Sequence, residues 1–483
     1  MEPVVRPTLP TGLVAFVKRD CPTCELVTPV LAEIAKQSEL TVFSQDDPAF
    51  PEGLDPRDET DLALSWQHGI EAVPTLLRVE DGAEVMRAIG WHRADWEALT
   101  GIGDLGPGLP ESRPGCGSLS VDPTREPELR RRFEGGRLQS RRIEVAALED
   151  EQEAIFARGW TDGHPVVAPT ESRVLAMLDG TGRAPDEIVA EVPPDLVPCT
   201  VEKVAVNAVL AGCRPAYLPV VLAAVEAVCN DTFNMHGVQA TTMGICPVLI
   251  VNGPIRRTLG MNAGIGVLAP GNRANASIGR ALQLVIRNVG GSRPGEIDRS
   301  TFGHPGKLGS CFAEDEEASP WEPLSADAGF APGTNTVTAF AGEGPRLVMD
   351  QLSRDPESLV RSLAACLRTV HHPKMGVAMS ALLIVGPEHG RVFREAGWSK
   401  QRLKEALNEA LLSPGSAMMR GADGIAEGLP LPEAMRDAQI PKFRPGHLHV
   451  AFAGGAAGLF SVIIGGWLTG PEGSQVVTKE VRG

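Results

Sequence analysis

Two cysteines two residues apart, Cys21-Pro22-Thr23-Cys24, stand between an apolar run at residues 12–18 (GLVAFVK) and a segment at 25–36 (ELVTPVLAEIAK) whose apolar residues recur at helical spacing. A thiol at a helix start faces free N–H groups and the positive end of the helix dipole, and both lower its pKa. A second thiol one turn on can resolve the mixed disulfide that the first one forms. The pair therefore reads as a redox dithiol, Cys21 attacking and Cys24 resolving, with the Cys21–Cys24 disulfide as its redox-active group. The other chemistry of a CxxC is half of a zinc site, but the chain holds no second CxxC.

Further candidates lie downstream. Cys116 is flanked by Gly115 and Gly117, which makes it a candidate relay thiol beside the dithiol or an ordinary turn cysteine. His304, Lys307 and Cys311 fall within eight residues of a Gly-rich stretch (FGHPGKLGSCF). A cation beside a thiol favours the thiolate, and a histidine can serve as its acid or base. Cys311 is the first choice for a working thiol and Cys246, which opens an apolar run, the second. His236 joins His304 as a candidate acid or base. Gln239, Asn262, Asn272, Arg273, Asn275 and Lys307 are expected to hold a small polar, anionic substrate. Amides among glycines suit such a ligand, and Gly271-Asn272-Arg273 before a helical pattern would aim N–H groups and a guanidinium at an anion. An Asn-capped helix with a surface arginine is the plainer alternative. A metal is left unassigned: His371-His372, His447 and His449 on one side of a strand, and the acidic run 314–317 are weak candidates beside structural roles. Cys213, Cys229 and Cys366 fall in apolar helical patterns and are expected to be inert.

Elements must bring these groups together. After the dithiol come Val73-Pro74-Thr75, a strand pattern, an Asp81-Gly82 hairpin turn and a second strand pattern. On these motifs, residues 8–104 resemble the thioredoxin family. The resemblance implies a thioredoxin fold with Pro74 cis and opposite the CxxC. It also implies a Val73 backbone that pairs with the extended segment of a bound thiol substrate. A reductase or a low-molecular-weight thiol would be the electron donor. The family's usual Trp-Cys-Gly-Pro-Cys is here Asp20-Cys-Pro-Thr-Cys, which leaves the direction of electron flow open.

The expected organisation is a thioredoxin-like domain at 1–105, a Gly/Pro-rich and charged linker at 106–150 carrying Cys116, and a larger α/β or α+β module at 151–483. Residues 126–142 read as a charged helical segment. In the module, apolar runs 247–252 and 381–385 each end in Gly-Pro or its equivalent. Each is preceded by a helical pattern and a His/Met-Gly segment and followed by another amphipathic helix. This reads as an internal duplication near 218–290 and 358–412 whose copies meet at a shared cleft, with coincidence as the alternative. The module is similar to bacterial thioredoxin-fused proteins of uncharacterised activity, a similarity that implies no reaction.

Composition bounds the function. With 61 acidic against 45 basic residues, the net charge of −16 argues against nucleic acid and anionic membranes as partners. The first ten residues carry no apolar signal segment, residues 450–467 are broken by glycines, and nine scattered cysteines suit a reducing cytoplasm. Two readings follow. In one, the module is an oxidoreductase or sulfur-transfer enzyme that uses a cysteine on a small anionic substrate, and the dithiol recycles that cysteine. In the other, it is a non-redox lyase, hydrolase or metal- or ligand-binding module, served by the first domain for docking, thiol delivery or metal handling.

Overall fold

The computed structural model describes residues 8–134, 138–145 and 149–482, and the chain is α/β. It divides into two units, Met1–Arg137 and Leu138–Gly483. The first unit therefore extends past residue 105, into the stretch expected to be linker. Residues 135–137 of the expected charged helix and 146–148 of the expected linker lie outside the described residues.

In the first unit β1 (Gly12–Val17) leads through α1 (Pro22–Gln37) to β2 (Leu40–Ser44), which pairs with it in parallel as helix-connected strands do. After β3 (Arg57–Asp58), α2 (Ala63–Gln67) and β4 (Ala72–Val73) comes the hairpin β5 (Thr75–Glu80) and β6 (Ala83–Ile89). Asp81 and Gly82 turn it with φ of 49° and 77°, the left-handed pair that a two-residue hairpin needs. The sheet order is β3-β2-β1-β5-β6, with β5 antiparallel to β1. Val14, Ala15, Phe16 and Val17 are fully buried, as a central strand requires. β7 (Trp91–His92) and α3 (Arg93–Thr100) follow.

The supposed linker then packs back. β8 (Ser112–Arg113) pairs with β7, and β9 (Cys116–Gly117) pairs with β4. Trp91 Nε1 donates to the Pro110 carbonyl, and the Ser118 N–H to the Glu71 carbonyl. The Gly/Pro composition that reads as a flexible spacer is here a strap, since strand pairing uses backbone groups that any residue but proline supplies. α4 (Glu126–Glu134) carries the charged face.

The second unit begins with α5 (Glu151–Ala157), α6 (Glu171–Leu178), the hairpin β10 (Ile188–Val192) and β11 (Val197–Thr200), and α7 (Val201–Leu210). A topology then occurs twice. The first pass is α8 (Leu218–Val228), α9 (Met235–Ala240), β12 (Cys246–Asn252), α10 (Ile255–Thr258), α11 (Arg273–Asn288), β13 (Ser310–Ala313), α12 (Leu324–Asp327) and β14 (Thr336–Gly342). After β15 (Arg346–Met349), the second pass is α13 (Pro356–Arg368), β16 (Met379–Val385), α14 (Pro387–Glu395) and α15 (Lys400–Ala410). It continues through β17 (Leu412–Pro414), α16 (Gly415–Met418) and β18 (Gln439–Pro441) to β19 (Phe443–Phe452) and β20 (Phe460–Leu468); β21 (Val477–Glu480) closes the chain. The strand order is β13-β12-β14-β20-β16-β19. In each half the central strand is parallel to one neighbour and antiparallel to the other.

Alternation along the strands divides the core. Leu249 and Val251 belong to the cluster with α7, α8 and α11, and Leu383 and Val385 to the one with α13 and α15. Val248, Ile250, Leu382 and Ile384 share a third cluster that joins the halves. The halves meet where β14 pairs with β20 at Gly342 and Gly466. A Cβ on Gly466 would lie 2.0 Å from Ser380 Oγ, and one on Gly342 would lie 2.6 Å from Ile464 Cγ2. Gly466→Ala should therefore destabilise the second unit by about 1–3 kcal/mol, the usual cost of overpacking. Urea unfolding of the variant beside the parent chain measures it, and an unchanged midpoint would contradict this packing.

Candidate functional site

Cys21 is the N-cap of α1, and its Sγ accepts the Cys24 N–H at 3.2 Å. Across the groove, the Val73 carbonyl oxygen lies 3.4 Å from the same sulfur, and the Val73–Pro74 peptide is cis. Cys116 sits in register with Val73, whose carbonyl oxygen faces Cys21 Sγ, and its thiol is one of the groups that lower the Cys21 pKa. The strap is held on both sides of Cys116, by Thr23 Oγ1 donating to the Pro114 carbonyl at 2.8 Å and Lys18 Nζ to the Gly117 carbonyl at 2.9 Å. A Cβ on Gly115 would stand 2.9 Å from the Val73 carbonyl oxygen, so only glycine allows the chains to approach this closely.

These contacts separate the three thiols. The Cys24 thiol, donating to Cys21, draws the Cys21 pKa down to about 5 against the opposing effect of burial. The Cys116 thiol and the N–H groups of Cys24 and Thr23 add to the lowering. Burial, and then the neighbouring Cys21, push Cys24 far up, and Cys116 is raised for the same two reasons. Cys21 is the thiolate of the set, and Cys24 and Cys116 carry protons. All three are free thiols.

The cysteine expected to work in the second unit does not face a site. Cys311 lies inside β13, buried in the core that also holds Cys213, and burial raises its pKa. Lys307, expected to polarise it, pairs instead with Asp298 at 2.8 Å and donates to Ser300. The side chains expected to bind substrate take up hydrogen bonds within the chain. Asn272 caps α11, and Asn275 donates to the Asn262 and Val267 carbonyls. Asn262 receives the Gly264 N–H and donates to the Ile265 carbonyl. Arg273 donates to the Gly212 carbonyl, and buried Gln239 accepts from Ser292. Asn262, Asn272 and Asn275 thus bond to backbone groups of their own segment, residues 260–275. His236 is exposed on α9, away from the residues that line the cleft described next.

That cleft, of about 450 Å³, opens where the two half-sheets meet; Thr242, Thr301, His304, Glu343 and His371 line it. His304 Nδ1 accepts the Gly306 N–H at 3.1 Å, which leaves the proton of the neutral ring on Nε2, 3.7 Å from Cys246 Sγ. Burial and then Lys307 lower the His304 pKa, so the ring is neutral near pH 7. Cys246 is fully buried behind it, its thiol faces the Gly306 carbonyl at 3.6 Å, and burial pushes its pKa up to about 12. His371 was expected to be structural. Its Nε2 lies 2.7 Å from the Gly466 carbonyl oxygen and its Nδ1 3.5 Å from the Glu343 carboxylate. The acidic run 314–317 is taken up by Asn252, Arg256 and backbone N–H groups. Among the described residues, no group of three or more His, Cys, Asp or Glu is arranged to hold a metal ion. Among the described residues, no single helix is long and apolar enough to cross a membrane.

Thiolate absorbance of the reduced chain should show one thiol titrating near pH 5, and Cys116→Ala, which removes a donor, should move that midpoint up. Below the ordinary thiol pKa the folded unit binds fewer protons at Cys21 than the unfolded chain. This contribution to stability therefore grows as pH rises from about 5. It is lost as pH falls through that value, and urea midpoints against Cys21→Ser report it. No protein-family model matches the chain, and no curated protein matches it significantly.

Proposed function

We propose that this protein is a thiol–disulfide oxidoreductase in which Cys21 attacks and Cys24 resolves. The observation that carries the reading is the set of donors converging on Cys21 Sγ at the start of α1, beside the Val73 carbonyl. Those donors keep a nucleophilic thiolate at neutral pH, while Cys24 holds its proton until a mixed disulfide replaces the charge on Cys21. The thioredoxin-like succession of strand, CxxC, helix and cis-Pro74 supports the same reading. In the second unit, a cysteine recycled by the dithiol would be Cys246, the candidate that touches a cleft-lining group.

One observation favours non-redox chemistry there instead. The residues that line the cleft include Glu343, His304 and His371 but no cysteine. A carboxylate and two imidazoles suit acid–base work on a small polar substrate.

In Cys24→Ser a disulfide through Cys21 should accumulate, and in Cys21→Ser none through Cys24. Trapping on Cys24 would reverse the roles. In a Cys21→Ser/Cys24→Ser background, native alkylation at neutral pH should leave Cys246 and Cys311 unmodified. Reaction of Cys246 at the rate of a free thiol would restore the cysteine-based reading of the cleft.

A further inference from the structure

We propose that Cys116 is a third redox thiol, through which a low-molecular-weight disulfide exchanges with the buried dithiol. The inference rests on the dithiol reading above and adds the route of entry and the class of substrate.

Three observations carry it. Cys21 and Cys24 are 1% and 0% exposed, whereas Cys116 is only half-buried, so of the three cysteines it is the residue most open to solvent. The backbone groups that would bind an extended peptide are already taken: Val73 pairs with Cys116, Ala72 with Gly117, and the Glu71 carbonyl with the Ser118 N–H. A peptide cannot add a strand at that edge while the strap is in place, but a small disulfide needs no backbone pairing. Finally, Cys116 pairs with Val73, whose carbonyl oxygen lies 3.4 Å from Cys21 Sγ, so the strap holds Cys116 on the backbone edge beside that sulfur that a bound substrate would use. Thr23, Lys18 and the close contact at Gly115 hold it there.

The exchange balances in three steps. Cys116 Sγ attacks one sulfur of R–S–S–R while its proton passes to the Cys21 thiolate; the R–S–S–R bond breaks, and the leaving thiolate takes that proton from Cys21. The Cys21 thiolate then attacks Cys116 Sγ, a Cys21–Cys116 disulfide forms, and the second R–S⁻ leaves and is protonated by solvent. Cys24 attacks Cys21 Sγ, the Cys21–Cys116 bond breaks, and the Cys24 proton returns to Cys116. The substrate disulfide is reduced to two thiols, and the dithiol is oxidised to the Cys21–Cys24 disulfide.

The test is a single turnover of the reduced full-length chain with hydroxyethyl disulfide, read by peptide-level mass spectrometry. Cys116→Ser keeps a hydrogen-bond donor to Cys21 but cannot exchange. It should form the Cys21–Cys24 disulfide at least about tenfold more slowly, because the tethered thiol supplies a high effective concentration. In Cys21→Ser the hydroxyethylthio adduct should sit on Cys116, and in Cys24→Ser the Cys21–Cys116 disulfide should accumulate. If Cys116→Ser reacts as fast as the parent or faster, with the adduct on Cys21, the strap is a removable cover and the relay is overturned. Diamide separates the two levels of the argument. If it forms the Cys21–Cys24 disulfide in parent and Cys116→Ser alike, the dithiol reading stands whatever becomes of the relay. If neither reagent forms that bond in the parent chain, both fail.

Discussion

A sulfur that is to carry charge out of water needs donors: the Cys24 N–H bonds to Cys21 Sγ at the first turn of α1, and the Cys24 thiol and the Cys116 thiol on the strap both lower the Cys21 pKa. Each donor is placed by a different part of the first unit. The helix start depends on β1 delivering the chain to residue 21, the strap depends on β4 presenting Val73, and β4 depends on the hairpin that follows Pro74. Removing any one of these would leave a buried charge short of a partner, and such a group costs far more than the bond that satisfied it contributed.

In the second unit the corresponding constraint is steric. The two half-sheets join through Gly342 and Gly466, where side chains from the facing strands leave no room for a Cβ. The close crossing has a consequence for chemistry. Glu343 follows Gly342 directly and its N–H bonds to the Gly465 carbonyl, while the Gly466 carbonyl faces His371. Acid–base groups from both halves are thus brought to one cleft by the seam that joins the sheet.

The placement of Cys21 and Cys24 at a helix start was legible because it is local: two cysteines one turn apart between apolar runs need no long-range information. The repeated run of strand and helix was legible for a similar reason. The strap was not, since glycine and proline read as a spacer and the pairing partner lies more than forty residues away, at Ala72 and Val73. Cys311 was misplaced because a four-residue strand does not reveal by alternation which face is buried. The bonds that the amides of 262–275 make to their own segment were not legible, because polar side chains that do so look, in sequence, like those that wait for a ligand. Glu343 and His371 were missed as a pair, because they are brought together only by the pairing of β14 with β20 at Gly342 and Gly466, which lie far apart in sequence.

Three thiols sharing one negative charge make a device whose state depends on which sulfur is bonded. When Cys21 enters a disulfide, its charge is gone, and the repulsion that helped hold Cys24 protonated goes with it. Cys24 then ionises more readily at the moment when a resolving nucleophile is required, although burial still opposes it. The same charge helps to raise the Cys116 pKa, so its loss would relieve Cys116 too, while the strap keeps its backbone pairing. In the proposed reaction, a disulfide at Cys21 would thus act on both Cys24 and Cys116 through a single charge. No movement of the scaffold is needed, because the donors are already in place.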